Sequence, residues 1–345
     1  MSILRVVQFN NPLDFIEATQ QYDDCFLNFT RGFLLDYIEN IRARPQSDSE
    51  KPDVVLLAIY RENELLMSLT RHAKDRLWAV ATPSHVDASC PKDSTDLRQG
   101  ARLLVQSLFN MINPCLVDDV KGPEDAVNAF IEAWVAKMQT IGVRLTILEP
   151  LYRSRVCYAT RKTLLPSLAT SSQHQVLLAS GPEDVVRLTP LCLAFLSDVP
   201  RPVTPKEACH SMQKAVEAGR AWICCSGEAV AGYIMVGRIT PRTIAIRSVF
   251  VSPEHRCKGV AEAMVRTVTR YYLGLSLPEQ EPNTIIVPRE GIKEEVCLNV
   301  SDAVAMRVYQ RCGFMLDNDA RDPDTGRMGW YRSIWRGVKM STASK

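Results

Sequence analysis

The sequence predicts an α/β protein with mixed sheets in two domains, and three observations support this class. The 345 residues are enough to build two hydrophobic cores. Both halves of the chain are predicted to contain helices, a hairpin, a strand, a loop and a helix in the same order. The clearest signal comes from residues 249–265, which predict a strand, a basic loop and a helix with one apolar face.

Periodicity and turn residues predict the elements of the first half, which we assign as a domain over 1–165. Its predicted strands are 3–8, a hairpin of 54–59 and 65–69, then 77–81, 143–148 and 155–159. Its predicted helices lie within 11–43 and at 97–112 and 124–139. Residues 166–173, Pro-Ser-Leu-Ala-Thr-Ser-Ser-Gln, predict a linker to the second domain.

The second domain is predicted over 174–345 and repeats this order. Its predicted strands are 175–179, a hairpin of 221–225 and 230–236, then 244–251, 296–300 and 328–335. Its predicted helices are 183–195, 205–218, one that starts near 261 and one that contains Tyr309. A stretch rich in Pro, Glu and Gly at 275–293 reads as an insertion.

Composition and charge exclude several classes of function. A net charge of +2 gives no support for binding nucleic acid or an anionic membrane. The sequence has no run of 18 apolar residues, and its first residues lack the apolar region of a signal peptide, so we expect a cytoplasmic protein. The 11 cysteines include no C-x-x-C pair and there are five histidines, so we expect reduced thiols and no metal site.

The loop Arg256-x-x-Gly259-x-Ala261 predicts a site for a phosphate-bearing cofactor. Gly259 allows a sharp turn or a close approach of the backbone to a ligand, and Ala261 is small enough for the same purpose. N–H groups at a helix start attract an anion, and Arg256 and Lys258 add positive charge. Neither a Walker A loop nor a dinucleotide fingerprint occurs at this site.

A second motif follows at 302–314 and predicts a short amphipathic helix. Asp302 suits its N-cap and Gly313 suits the position just after its end. Its apolar face is formed by Ala305, Val308, Tyr309 and Cys312.

In spacing and order, the two motifs together resemble those of the GCN5-related N-acetyltransferase (GNAT) superfamily. The family pattern V-x-V-x-P-x-x-[RQ]-x-x-G-x-[GA] is matched by Val249, Val251, Pro253, Arg256, Gly259 and Ala261. The pattern N-x-x-A-x-x-x-Y-x-x-x-G-F is matched by Ala305, Tyr309, Gly313 and Phe314. Asp302 departs from it, because the family usually has Asn there.

The resemblance implies a GNAT fold, an acyl-CoA co-substrate such as acetyl-CoA, and no metal. It assigns cofactor binding to Val249, Phe250, Val251, Arg256, Cys257, Lys258, Gly259, Val260, Ala261 and Asp302. It assigns protonation of the leaving thiolate to Tyr309. The implied activity is acyl transfer to an amine of a small molecule or peptide, and the alternative is a non-catalytic protein that binds acyl-CoA. The sequence predicts no oligomeric state.

Two interpretations of the first half stay open, a degenerate GNAT-like copy and an unrelated α/β domain. In the first interpretation, Leu97-Arg-Gln-Gly100-Ala-Arg102 takes the place of the phosphate loop, and Arg102 would block a pyrophosphate. A tandem repeat of this kind resembles tandem GNAT proteins.

Other side chains have alternative roles that the sequence does not decide. The general base is not identified, and its candidates are Asp198, Glu207, His210 and Glu228. Arg247 would either bind an acidic substrate or pair on the sheet surface. The basic and aromatic residues of 327–336 fit an edge strand better than an RNA-binding segment.

Overall fold

The computed structural model describes residues 3–42, 54–72, 77–86, 91–164, 174–197, 203–276 and 287–340. The chain divides into two compact units. Unit 1 comprises Met1–Val156 and Gly326–Lys345, and unit 2 comprises Cys157–Thr325. The predicted linker at 166–173 lies outside the described residues.

Unit 1 is an α/β unit, and four α-helices accompany the strands in its described residues. Its helices are α1 (Pro12–Ala18), α2 (Cys25–Arg42), α3 (Pro91–Met111) and α4 (Glu124–Gln139). Its strands are β1 (Leu4–Gln8), β2 (Val54–Arg61), β3 (Glu64–His72), β4 (Trp78–Ala81), β5 (Asp119–Pro123), β6 (Leu145–Ile147) and the last strand of the chain, β13 (Trp330–Met340). Strand β7 (Tyr152–Ala159) begins in unit 1 and ends in unit 2.

The sheet of unit 1 has the order β1-β2-β3-β4-β5-β13 and mixes both strand directions. Strands β4 and β5 are parallel, with Trp78 opposite Val120, whereas the other neighbours in this order are antiparallel. The two-residue period of β2 places Leu56 and Leu57 in separate clusters. Leu57 joins the core formed with α3 and α4, and Leu56 packs with Phe15 and Leu34 of α1 and α2.

The last strand differs from the sequence prediction in length and in the unit to which it belongs. It was predicted at 328–335 inside a domain of 174–345, but β13 spans Trp330–Met340 and is part of unit 1. The reason is its backbone pairing, because residues 333–337 pair with β5 and 338–340 pair with β6. Strand β5 itself was missed, since its five residues include Gly122 and Pro123, which are poor strand formers.

The proposed phosphate loop of the first half was wrong, because Leu97 and Arg102 both lie inside helix α3. A Cβ atom on Gly100 would come within 3.3 Å of Ile59 and 3.1 Å of Leu66, so this glycine allows close packing of the helix on the sheet. Arg102 is therefore a helix residue and does not block a phosphate loop.

Unit 2 has the same order of elements. Its helices are α5 (Gly181–Phe195), α6 (Pro205–Glu217), α7 (Val260–Tyr272) and α8 (Ala303–Arg311). Its strands are β8 (Gln175–Leu178), β9 (Ala221–Ser226), β10 (Ala229–Gly237), β11 (Thr243–Val251) and β12 (Glu295–Val300). They form the order β8-β9-β10-β11-β12, in which only the β11–β12 pair is parallel. The predicted α/β class with mixed sheets is confirmed.

The core of unit 2 places aromatic residues between the sheet and helices α5 and α6. The rings of Phe195, Tyr233 and Phe250 lie 6.1–6.4 Å apart at their centroids. Burial raises the pKa of the Tyr233 phenol, and Cys192 adds to the shift. On the opposite face, Met264 of α7 lies close to Gly232, where a Cβ atom would meet its methyl carbon at 3.0 Å. The sheet of unit 2 is thus packed on both faces.

A local sequence match also links the two units. Residues 82–85 of unit 1 read Thr-Pro-Ser-His after β4, and residues 252–255 of unit 2 read Ser-Pro-Glu-His after β11. The same turn closes both segments, with Val86 N–H donating to the Pro83 carbonyl at 3.0 Å and Arg256 N–H donating to the Pro253 carbonyl at 3.3 Å. This match and the shared order of elements fit a GNAT-like first half.

Candidate active site

The segment that leaves β11 is held by hydrogen bonds on both sides of a tight turn. Ser252 N–H donates to the Ala231 carbonyl at 3.0 Å, and Ser252 Oγ lies 2.8 Å from His255 Nδ1. Both side chains are largely buried, Ser252 at 3% exposure and the His255 side chain at 16%. The start of the loop is therefore a fixed part of the unit.

The loop then becomes exposed and turns through two left-handed residues. Arg256, Cys257, Lys258 and Gly259 are all exposed, with φ of +60° at Cys257 and +81° at Gly259. A Cβ atom on Gly259 would meet no protein atom within 4 Å, so the space beside it is open. The glycine is required by its backbone conformation, since L side chains rarely adopt this φ.

Helix α7 starts at Val260 and has no side chain that caps its first turn. In its first intrahelical hydrogen bond, the Ala263 N–H donates to the Gly259 carbonyl at 3.0 Å. The N–H groups that precede it have no acceptor inside the helix and point toward the exposed loop. The loop is held on its other side, where His174 Nε2 lies 2.7 Å from the Lys258 carbonyl. This arrangement can bind an anion through backbone donors.

Strand β11 separates from β12 beside this loop. Their parallel register covers four residue pairs, from Thr243–Glu295 to Ile246–Leu298. Within these fully described strands, the register ends there, although β11 continues to Val251 and β12 to Val300. The cause is a β-bulge at Arg247. Ile246 and Ser248 of β11 pair with two adjacent residues of β10, so Arg247 between them is an extra residue in the ladder.

The direction of the backbone groups after the bulge follows from the β10–β11 ladder. The bond between Ser252 and Ala231 makes them a hydrogen-bonded pair, so Phe250 also bonds to β10. The N–H groups of Val249 and Val251 alternate with these and point away from β10, toward the gap beside β12. The Val251 carbonyl already has a partner, because Arg256 Nε donates a hydrogen bond to it at 3.3 Å. Val249 and Val251 are half-buried and Phe250 is buried, so Phe250 belongs to the core.

Helix α8 carries the second predicted motif. The Asp302 carboxylate accepts the Ala305 N–H at 2.7 Å and caps the helix, which accounts for an acidic residue at this position. Tyr309 is half-buried, and its ring centroid lies 6.0 Å from that of Phe314. Its carbonyl accepts the N–H groups of Cys312 and Phe314 and closes the helix end.

Two features, the backbone conformation and the close packing, require a glycine at Gly313 of the same motif. Its φ is +88°, and a Cβ atom there would lie 2.6 Å from the Thr163 carbonyl oxygen and 2.9 Å from the Leu164 Cα. The sequence predicted the first requirement, since a glycine after a helix suits a left-handed turn. The second requirement, space for the backbone of Thr163 and Leu164, involves residues about 150 positions earlier in the chain, so only the structure reveals it.

Helices α7 and α8 are tied together by a charged triad that sequence reasoning missed. Glu262 accepts Arg266 at 2.9 Å and Arg311 at 2.7 Å, and Arg266 also donates to the Arg311 carbonyl at 2.8 Å. Burial opposes ionisation of Glu262, but the bonds from Arg311 and Arg266 outweigh it and lower the pKa of this carboxyl. The i, i+4 spacing of Glu262 and Arg266 was a visible signal, but the link to α8 was not.

The candidates for a general base have different surroundings. Glu207 bonds the N–H and hydroxyl of Thr204 in a capping box, and these bonds lower the pKa of its carboxyl. His210 and Glu228 are exposed, and Asp198 lies outside the described residues. Glu207 thus has a structural role.

Arg247 is exposed at the bulge and lies over Gly237, where a Cβ atom would approach its Cδ to 2.7 Å. Gly237 therefore provides the space for this arginine on the face of the sheet. Its position beside the β11–β12 gap is compatible with contact to an acceptor.

Two further observations concern metals and membranes. In the part of the chain that the structure describes, no group of three or more His, Cys, Asp or Glu side chains is placed to hold a metal ion. Among the same residues, no helix is both long and apolar enough to cross a bilayer.

Strand β11 on one side of the gap and the uncapped helix start lie in a part of the chain that a family comparison also matches. A family model for the acetyltransferase (GNAT) family matches residues 193–282. The matched residues all lie within unit 2. The match includes the loop at 256–259 and ends before the second motif at 302–314.

Solved structures that resemble the chain carry similar names. One is a GCN5-related N-acetyltransferase from Sphaerobacter thermophilus, with 14% identity, a TM-score of 0.48 and coverage of 98% of this chain and 95% of that one. Another is a tandem GNAT protein from the clavulanic acid biosynthesis pathway, with 12% identity, a TM-score of 0.44 and coverage of 99% and 100%. A third is a GCN5-related N-acetyltransferase from Kribbella flavida, with 11% identity, a TM-score of 0.43 and coverage of 89% and 95%. Each TM-score is below 0.5, so none of these likenesses supports an argument about this chain. No curated protein matches the sequence.

Proposed function

We propose that the protein is an acyl-CoA-dependent N-acyltransferase that transfers an acetyl group from acetyl-CoA to an amine by direct attack. The observation that carries this proposal is the gap after Ile246 and Leu298, next to a helix start with no side-chain cap. The gap supplies backbone N–H groups for a carbonyl oxygen, and the helix start supplies them for phosphates. In acetyl-CoA, the thioester carbonyl and the pyrophosphate lie at opposite ends of the extended pantetheine arm.

The pyrophosphate would be held at the loop and the first turn of α7. The N–H groups from Gly259 to Ala261 are the donors, and the open space beside Gly259 leaves room for phosphate oxygens. Arg256 and Lys258 are exposed and add positive charge around them. We assign Cys257 a backbone role, because its left-handed φ aids the turn.

Bound acetyl-CoA supplies the activated acyl group, and the chain orients it and moves one proton. The N–H groups of Val249 and Val251 would polarise the acyl carbonyl. Tyr309 would donate its phenolic proton as charge develops on the leaving thiolate. Phenols have ordinary pKa values of about 10 against about 8.5 for thiols, so the proton moves only when the thiolate forms. Asp302 would act through the position of α8, since its carboxylate already caps that helix.

The acceptor is proposed to be an amine of a small molecule or a peptide. It must lose a proton to attack, and among the candidate bases His210 and Glu228 remain exposed and able to accept one. A non-catalytic acyl-CoA-binding protein is the second candidate, because Asp302 replaces the usual Asn of the family and no general base is identified among the described residues. Both candidates require acyl-CoA binding, but only the first requires thiol release.

A thiol-release screen across amines, polyamines, amino acids and peptides tests the proposal. Tyr309→Phe removes one proton donor and little volume, so kcat should fall by ~10²–10⁴-fold with the acetyl-CoA affinity nearly unchanged. Tyr152→Phe, an exposed tyrosine in unit 1, is the matched control and should leave both constants unchanged.

Three results would contradict parts of this mechanism. Weak acetyl-CoA binding with a normal kcat would assign Tyr309 to cofactor positioning. A lower melting temperature with unchanged constants would assign it to the core. Binding of acetyl-CoA without thiol release for any amine would favour the non-catalytic candidate.

A further inference from the structure

A groove of about 350 Å³ runs between helices α3 and α4 of unit 1. Small side chains on α4, Ala129, Ala133 and Ala136, leave this space where larger ones would fill it. Arg98 and Arg102 of α3 line one side. The volume is in the range of small-molecule sites. The groove lies outside unit 2 and has no role in the proposed acyl transfer.

The charged residues of the groove are not neutralised by neighbours. Arg98 and Arg102 are both exposed, and neither forms a hydrogen bond or ion pair with any of the described residues. Glu132 also lines the groove, but no ion pair joins it to either arginine across the described ranges. Lys137 also lines the groove, and its Nζ lies 4.7 Å from the ring centroid of Phe109. The groove thus carries a net positive charge.

The equivalent pair of helices in unit 2 shows the opposite arrangement. There the two arginines, Arg266 and Arg311, are bridged by Glu262 at 2.9 Å and 2.7 Å. The charges between α7 and α8 are therefore satisfied inside the protein. Between α3 and α4 the same architecture leaves two guanidinium groups available to a ligand.

The spacing of the arginines indicates the kind of anion. Residues four apart lie one above the other on a helix, so both guanidinium groups can converge on one ligand group. A phosphate monoester offers three terminal oxygens and up to two negative charges, which suits two forked donors better than a carboxylate does. Glu132 would reject a second anionic group and accept a hydroxyl or ammonium group.

We propose that the α3–α4 groove binds a small phosphate monoester, with Arg98 and Arg102 on the phosphate and Glu132 on a hydroxyl or ammonium group of the same molecule. Unit 1 then has a ligand site of its own. The site is independent of acyl-CoA binding in unit 2.

Calorimetry of the full chain with phosphoethanolamine tests this site, because that probe has both a phosphate monoester and an ammonium group. Arg98→Ala combined with Arg102→Ala should weaken binding at least ~10-fold, the ratio expected when charge-assisted hydrogen bonds are lost. Arg144→Ala is the matched control, since Arg144 is an exposed arginine of unit 1 outside the groove. All variants share the loop at 256–259, so their differences isolate the groove.

A second variant separates a shaped site from surface charge. Ala133→Trp fills the groove and keeps all of its charged residues, so it should also abolish the binding while thermal melting shows the fold intact. Ethanolamine without phosphate should not bind. The proposal is overturned if the double arginine variant binds like the wild type, if Arg144→Ala loses as much affinity, or if folded Ala133→Trp retains full affinity.

Discussion

The loop before α7 offers a direct test of the cofactor site through Gly259→Val. Because no protein atom outside the two neighbouring residues lies within 4 Å of a Cβ at this position, the first carbon of the new side chain meets no steric clash. Its effect on stability is the strain of a non-glycine residue at a φ of +81°, about 1–3 kcal/mol. The branched side chain would nevertheless fill the space in which phosphate oxygens are proposed to bind.

The loss of acetyl-CoA affinity can be predicted from the donors that the valine would cover. If two N–H groups at the start of α7 lose their phosphate oxygens, each charge-assisted bond removes about 1.5–3 kcal/mol. The affinity should then fall by ~10²–10⁴-fold. Calorimetry with acetyl-CoA measures this change, and chemical denaturation measures the separate change in stability.

Gly227→Val provides the matched control at the tip of the β9–β10 hairpin. Gly227 has a φ of +61°, and its Cβ position is also free of protein atoms within 4 Å. Both variants should therefore lose similar stability, but only Gly259→Val should lose acetyl-CoA binding. Equal acetyl-CoA affinities in the two variants would refute the placement of the phosphate site.

Three further predictions concern stability. Gly313→Ala combines a left-handed φ with a Cβ that would lie 2.6 Å from a backbone oxygen, so it should lower the free energy of unfolding by about 2–5 kcal/mol in denaturant titrations, well beyond the loss in Gly259→Ala. A fragment of residues 1–165 lacks β13, so its thermal melting, followed by circular dichroism, should show poor cooperativity. Addition of a peptide of residues 326–345 should restore cooperative melting. Cooperative melting of the fragment alone would contradict the pairing of β13 with β5. Glu262→Gln should melt below the wild type at neutral pH. Because the folded-state pKa of Glu262 is lowered, its contribution is present above the ordinary glutamate pKa and is lost as the pH falls through the folded value, so the gap in melting temperature should close in acid.

Local patterns were sufficient to predict much of unit 2. The β9–β10 hairpin, the strand 244–251 and the glycine turn before α7 follow from alternation, helical periodicity and turn residues over short spans of sequence. The N-cap at Asp302 follows in the same way, because capping depends on residues three positions apart. The family model then agreed with the resemblance seen at 249–261.

Sequence reasoning failed where long-range pairing decides the structure. Strand β5 is short and contains glycine and proline, so only its neighbours β4 and β13 define it. The first six residues of α3 were also missed, because residues 91–96 are largely polar and give no apolar stripe. The phosphate loop suggested at 97–102 by comparison with the second half overlapped the predicted helix at 97–112, and the helix was the correct prediction.

The sequence by itself determined the class of fold, the strand–loop–helix at 249–265 and the residue types that suit a phosphate, because each depends on neighbouring residues. Only the tertiary structure decided which strands pair, and with this the unit that contains β13 and the point at which β11 leaves β12. It also decided which charges are neutralised, as the Glu262 triad and the exposed Arg98–Arg102 pair show. The physical reason is that hydrogen-bond register and ion pairs join residues that are distant in sequence, and local periodicity contains no information about those partners.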